Sequence, residues 1–271
     1  MLIDETKTVR DLVIENPAVA RVFEKFQIDY CCGGQLSLAE AYRRARVKLD
    51  EVLQAAEKAT INETRNDLPE MDFNEMSLAA LTDYIVRKHH KFTREQSEKI
   101  SALLEKVCSI HGKNHAELFD IQKVFSTLRL ELEKHMLKEE RMLFPYISLM
   151  ESSINFGHAV PPAPFGSTKN PIRVMIAEHD VAGEHLLEIR RLSNHFVVPD
   201  DACVTYQTLY SELEAFEKDL HWHTHLENNI LFPKAIEMEA SGKSAEPEQI
   251  AEVKCGLDEC SSHESMLRSK I

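Results

Sequence analysis

Along most of the 271-residue chain, hydrophobic positions recur every three or four residues, the spacing of one face of a 3.6-residue helix. Between Thr8 and Thr60 this marks short helices. Val19, Val22, Phe23 and Phe26 make one apolar stripe, Ser37 with Glu40 three residues on reads as a capping box opening the next helix, and a third helix starts near Asp50. Residues 61–72 are polar and contain Leu68-Pro69, which predicts a linker. Four longer helices follow at about 75–108, 115–150, 171–194 and 201–240. Between the second and third, residues 151–170 carry Pro161, Pro162, Pro164 and Gly166 and predict a long crossover loop. The pattern therefore predicts an all-α protein: a small N-terminal helical domain over 1–60, a linker over 61–72, a four-helix bundle over 73–240, and a polar, loosely ordered extension over 241–271.

Polar residues interrupt the apolar stripes of the bundle at related places. His135, Glu139 and Leu143-Phe144-Pro145 read His-x-x-x-Glu-x-x-x-Leu-Phe-Pro, and so do His223, Glu227 and Leu231-Phe232-Pro233. Residues i and i+4 of a helix stack on one face, so each copy aims an imidazole and a carboxylate the same way. About one helical hairpin before each copy lies a histidine on an apolar face. His89 continues Leu78, Leu81 and Ile85, and His179 continues Ile172, Met175 and Ile176. A lone histidine in such a stripe is more often a hydrogen-bonded core residue than a ligand. Four at repeat-related positions are not independent accidents. Burying two carboxylates and four imidazoles without a cation costs several kcal/mol per uncompensated charge. His89, His135, Glu139, His179, His223 and Glu227 are accordingly the expected ligands of a two-metal site, with a purely structural polar network as the alternative. Two carboxylates shared by four imidazoles predict bridging, with the ions about 3.5–4 Å apart. Iron suits this nitrogen-rich set with open positions best, manganese next, and a zinc pair is the alternative.

Other polar residues are sorted by register. Glu131 and Asp219 precede His135 and His223 by four residues, and Glu178 adjoins His179, so each could accept an imidazole N–H or line an entry path. His221 and His225 fall off the ligand face, His221 toward solvent. His111 and His115 flank Gly112 in a helix connection and read as surface residues. Asp29-Tyr30-Cys31-Cys32-Gly33-Gly34 has a glycine pair that permits positive φ and close approach of other groups to the backbone. The loop is expected to present Cys31 and Cys32 to a metal, another chain or a redox partner, the alternative being two small buried side chains. Cys108 and Cys203 read as structural, and Cys255, Cys260 and His263 are too few to define a site.

A net charge of -13 argues against nucleic acid, and no apolar run approaches the ~20 residues that span a bilayer. The acidic start, Met1 to Glu5, does not read as a signal peptide, and the scattered cysteines suit a reducing cytoplasm.

With these residues in place, the chain resembles the RIC family, di-iron proteins that repair iron–sulfur clusters and whose bundle is hemerythrin-like. The resemblance spans about residues 5–237 and rests on Asp29 to Gly34, on His135-Met136-x-Lys138-Glu139-Glu140-x-x-Leu143-Phe144-Pro145, and on Leu226-Glu227-Asn228-Asn229-x-Leu231-Phe232-Pro233. It implies the same six ligands, acidic groups near the irons at Glu131 and Glu178, and a carboxylate-bridged pair of irons with an oxo or hydroxo bridge. It also implies repair of clusters damaged by nitrosative or oxidative stress. The route is iron donation, reduction of NO to N2O, or both, with Cys31 and Cys32 in iron or electron transfer. Damaged or apo iron–sulfur proteins are then the partners, and the electron donor is unidentified. A homodimer through the small domain is an analogy at the level of fold. The rival reading is an O2 or NO carrier or sensor, against which the thiol loop argues.

Overall fold

The computed structural model describes residues 5–63 and 72–242, and the expectations for 64–71 and for the extension after 242, Cys255, Cys260 and His263 included, lie outside them. Among the described residues there are helices and no strands, as the periodicity predicts. Four short helices come first: α1 (Val9–Glu15), α2 (Ala18–Phe26), α3 (Leu38–Ala45) and α4 (Leu49–Glu63). Their starts are fixed locally. Thr8 Oγ1 accepts from Asp11 N, and Ser37 and Glu40 form the reciprocal capping box the sequence predicts. Val9, Val13, Phe23, Leu38 and Val52 meet in one small core.

The bundle is built from α5 (Leu78–Ile85) continuing into α6 (Lys91–His111), α7 (Glu117–Lys138) into α8 (Phe144–Asn155), α9 (Lys169–Leu192), and α10 (Val204–Leu226) into α11 (Phe232–Gly242). Three of its four rods contain one π-helical turn: Val86–His90, Glu139–Leu143 and Glu227–Leu231. A π turn inserts one residue and advances every later side chain around the helix. The crossover is shorter than the prolines suggested, because α8 persists to Asn155 and α9 begins at Lys169.

Apolar faces pack α7 against α9 and α6 against both α7 and α10. Two buried clusters result. One holds Leu104, Phe125, Leu128, Leu213 and Phe216; the other holds Leu81, Ile85, Ile147, Met175, Leu231 and Phe232. Along α7, α9 and α10 the histidines and glutamates of the repeat fall where one cluster gives way to the other. Apolar layers therefore lie on both sides of a polar one.

Candidate metal centre

The polar layer is closed to water. His90, His135, His179 and His223 are buried, and Glu139 and Glu227 are 0% exposed. Ligand atoms of His90, Glu139, His223 and Glu227 all lie within 4.8 Å of one another, and so do those of His135, Glu139, His179 and Glu227. The two carboxylates belong to both groups. His223 Nε2 stands 2.9 Å from Glu227 Oε1, His179 Nε2 3.0 Å from Glu227 Oε2, His135 Nε2 3.3 Å from Glu139 Oε1, and His90 Nε2 3.4 Å from Glu139 Oε2. His179 Nε2 and His135 Nε2 approach to 3.0 Å.

The outer faces of the rings are tied down. Glu140 holds His90 Nδ1 at 2.7 Å, Glu178 holds His135 Nδ1 at 2.9 Å, and Asn228 Oδ1 takes His179 Nδ1 at 2.9 Å. An acceptor on Nδ1 fixes the proton there and leaves the Nε2 lone pair facing inward, the arrangement of a metal-ligating histidine. Arg94 and Lys138 in turn bind Glu140 and Glu178. The paired cations and imidazoles hold both outer carboxyls down to about 2.

Such a set fits a cation. His90 Nε2, both Glu139 oxygens, Glu227 Oε2 and His223 Nδ1 are buried and make no hydrogen bond. Leaving so many polar atoms unpaired in one pocket costs about 1–3 kcal/mol each unless a ligand satisfies them. Charge points the same way. Burial pushes the His90 imidazole down, yet Glu139, Glu140 and Glu227 together carry it up to about 11, and His135 likewise rises to about 10 against burial, chiefly through Glu139. Burial opposes ionisation of Glu139 and Glu227, but His135 beside the first and His223 beside the second hold both below the ordinary carboxylate range. The carboxylates recruit positive charge, and metal ions are the charge that nitrogen and oxygen donors at this spacing accept.

Five of the six residues expected as ligands converge. His89 does not. Reading the apolar stripe Leu78, Leu81, Ile85 forward in α-helical steps lands on His89, but the π turn Val86–His90 inserts a residue and His90 takes the inward place. His89 is buried beside it, with Nδ1 3.1 Å from Asp219 and its ring 5.7 Å from that of His223. Asp219 thus contacts an imidazole as register suggested, though a different one. Glu131, expected near the metals, instead meets His185 at 3.0 Å on an exposed face of α7 and α9. Four residues on a helix amount to 400°, so the face has drifted by about 40° one turn away. Glu140, Asn228 and His90 were missed. The doubled His89-His90 was the available signal, since either neighbour can reach the core when a helix register shifts.

The cysteine loop lies against the outer side of the rod that carries His223 and Glu227 rather than standing out from the protein. Asp29 Oδ1 accepts from the N–H of Cys31 and Cys32, and Oδ2 from that of Gly33. Cys31 is buried and Cys32 half-buried. The hydrogen bond to Cys32 and burial push the Cys31 thiol well up, keeping it protonated. Gly33 and Gly34 have no positive φ, so the glycines serve close approach alone. A Cβ on Gly34 would sit 2.8 Å from Asn229 Oδ1 and 2.9 Å from Tyr30 O. His225 and His221, set aside as off-face, hold this domain to the bundle. The His225 ring lies between those of Tyr30 and Trp222, and His221 Nδ1 donates to Glu24 at 2.9 Å, as does Tyr30 Oη.

At the far end of the bundle, His115 bonds Glu117 and Asp201. Cys108 is buried there, and Cys203 caps α10 beside His111, whose hydrogen bond brings its thiol down to about 7.

Buried histidines and shared glutamates inside four antiparallel rods define a hemerythrin-type cation-binding bundle. The hemerythrin HHE cation binding domain matches residues 81–235, and a domain of unknown function of the ScdA N-terminal type matches residues 5–60. The chain is 32% identical to a probable iron-sulfur cluster repair protein of Haemophilus influenzae, over 83% of this chain and 95% of the relative. It is 34% identical to the iron-sulfur cluster repair protein YtfE of Edwardsiella ictaluri and 35% to that of Escherichia coli O81, over 83% of this chain and 95% and 94% of theirs. The chain belongs to this family of iron-sulfur cluster repair proteins.

Proposed function

We propose that the protein holds two iron ions and, with its thiol loop, repairs iron–sulfur clusters damaged by nitrosative or oxidative stress. His90 and His223 would serve one ion, His135 and His179 the other, and Glu139 and Glu227 would bridge, since each carboxylate belongs to both groups. The single observation that carries this is the convergence of four imidazole Nε2 atoms on two shared carboxylates that have no other cationic partner among the described residues.

Iron held there supplies either metal for an incomplete cluster or the two electrons that, with two protons, convert two NO to N2O and water. The chain's own groups set the conditions. Two imidazole nitrogens and one oxygen from each shared carboxylate would give each ion fewer than six protein donors, which would leave room for a diatomic ligand or a hydroxo bridge. Glu140, Glu178 and Asn228 keep the rings from turning as ligands exchange. The apolar clusters on either side keep bulk water from the site. Cys32, the more accessible thiol, would be the one to meet an apo or damaged iron–sulfur protein, and free thiols of this kind suit the reducing cytoplasm.

A carrier or sensor of O2 or NO would need no thiol loop fastened against its metal turn. Anaerobic addition of NO to the diferrous protein with a reductant separates the two. N2O formed over several turnovers supports reduction, and iron recovered in a separated apo-ferredoxin supports donation. A stable nitrosyl adduct with neither outcome overturns the repair reading, and full repair by a Cys31→Ser, Cys32→Ser double variant removes the role given to the loop.

A further inference from the structure

Asn229 belongs by its backbone to a turn of the metal centre and by its side chain to the thiol loop. It is 3% exposed and lies in the π turn Glu227–Leu231, two residues beyond a shared carboxylate and on the opposite side of the rod. Its Nδ2 donates to Tyr30 O at 3.1 Å and Cys31 O at 3.2 Å, and stands 3.1 Å from His225 Nδ1. Its Oδ1 packs against Gly34 so closely that no other residue fits there without displacement. The thiol loop, folded on Asp29, is thus tied to the bundle through an amide whose own backbone belongs to the π turn that begins at Glu227. Without a cation, Glu227 is held among the described residues by imidazoles alone, and the turn it begins keeps that much freedom. With one, Glu227 is pinned, and Asn229 with it.

We propose that Asn229 is a positioning residue that couples the accessibility of the Cys31 thiol to metal loading: loop seated and Cys31 covered when the ions are bound, loop loosened when an ion has left. The inference rests on the two-ion reading of the site. It gives the protein a way to present its second thiol after iron has been given up.

The test is alkylation of the full-length protein by iodoacetamide, iron-loaded under anaerobic conditions and after chelation, with Cys31 and Cys32 resolved by tandem mass spectrometry. In the wild type, Cys31 should react about tenfold more slowly when loaded, within the usual range for coupled sites. Asn229→Asp keeps the shape but replaces the donor with an acceptor, and Gly34→Ala presses on the same contact from the other side. In both, Cys31 should react at the fast rate whether or not iron is bound, with iron content unchanged. A wild-type rate indifferent to iron overturns the coupling. So does a loaded-state protection that survives in both variants, because it would then come from direct ligation or simple burial. Fewer than two ions per chain with the wild-type rate difference intact would instead overturn the two-ion reading and keep the coupling.

Discussion

His89 and His90 are adjacent, both buried and both paired through Nδ1 with a carboxylate, yet only His90 joins the convergent groups. The difference has a direct consequence for metal content. For the proposed two-iron site, His90→Ala is expected to lower iron from two per chain to about one, whereas His89→Ala should keep two and lose them faster to a chelator, as measured by colorimetric iron analysis of purified protein. Retention of two irons by His90→Ala and one by His89→Ala would make His89 the ligand. Glu178 acts one step further out, through His135 Nδ1. Glu178→Ala should weaken metal binding by about 10- to 100-fold, the usual cost of removing an outer partner, and competitive chelator titration reads it. Glu131→Ala, on the exposed face with His185, should leave metal affinity unchanged.

Helices in this bundle end and begin on side chains far away in sequence. The first turn of α5 donates Leu78 N and Ala79 N to the Glu151 carboxylate at 2.7 and 2.8 Å, and Glu239 accepts from Thr168 N and Oγ1 at the start of α9. A buried carboxylate at a helix N-terminus satisfies orphan donors and meets the positive end of the helix dipole. Glu151→Ala leaves one buried and one half-buried N–H without acceptors and should destabilise by about 1–3 kcal/mol in urea unfolding. The same scale explains why three rods break into π turns. Each π turn contains or adjoins metal-site residues: His90 ends one, and Glu139 and Glu227 begin the others. The extra residue widens the helix there and resets which of two consecutive polar side chains faces the centre, His90 rather than His89 in the first.

At the scale of the whole molecule, the end of the bundle beyond the metal centre holds both apolar packing and ion pairs, the buried Glu217 with Arg190 among them. Phe125 and Phe216 meet edge to face, 5.5 Å between centroids, in the cluster away from the thiol loop. Phe125→Ala should cost about 3–5 kcal/mol by denaturant unfolding with iron content per folded chain unchanged. At the same end, His115 links Glu117 and Asp201, and the Asp201 hydrogen bond raises its pKa above the unfolded value near 6.5. A raised histidine contributes stability in full below the unfolded pKa and loses it as pH rises through the folded one. Asp201→Asn should therefore lower the melting temperature at pH 6 and leave it nearly unchanged at pH 9. A deficit equal at both would remove the ionic contribution. The contact is exposed at Asp201, so the effect should be small.

Much of this was legible in the chain itself. Helical spacing of apolar residues dictates the rods, and His-x-x-x-Glu-x-x-x-Leu-Phe-Pro, written twice, dictates that Glu139 stacks on His135 and Glu227 on His223, because contacts at i and i+4 are made within one segment. The capping box at Ser37 was equally local. What required the tertiary structure was every choice between neighbours settled by another helix: His90 over His89, Glu140 and Asn228 as ring holders, Glu131 facing His185, and the thiol loop turned in against Asn229. A π turn costs little in sequence terms and is settled by what the rod packs against, so periodicity carries a register up to it and not through it.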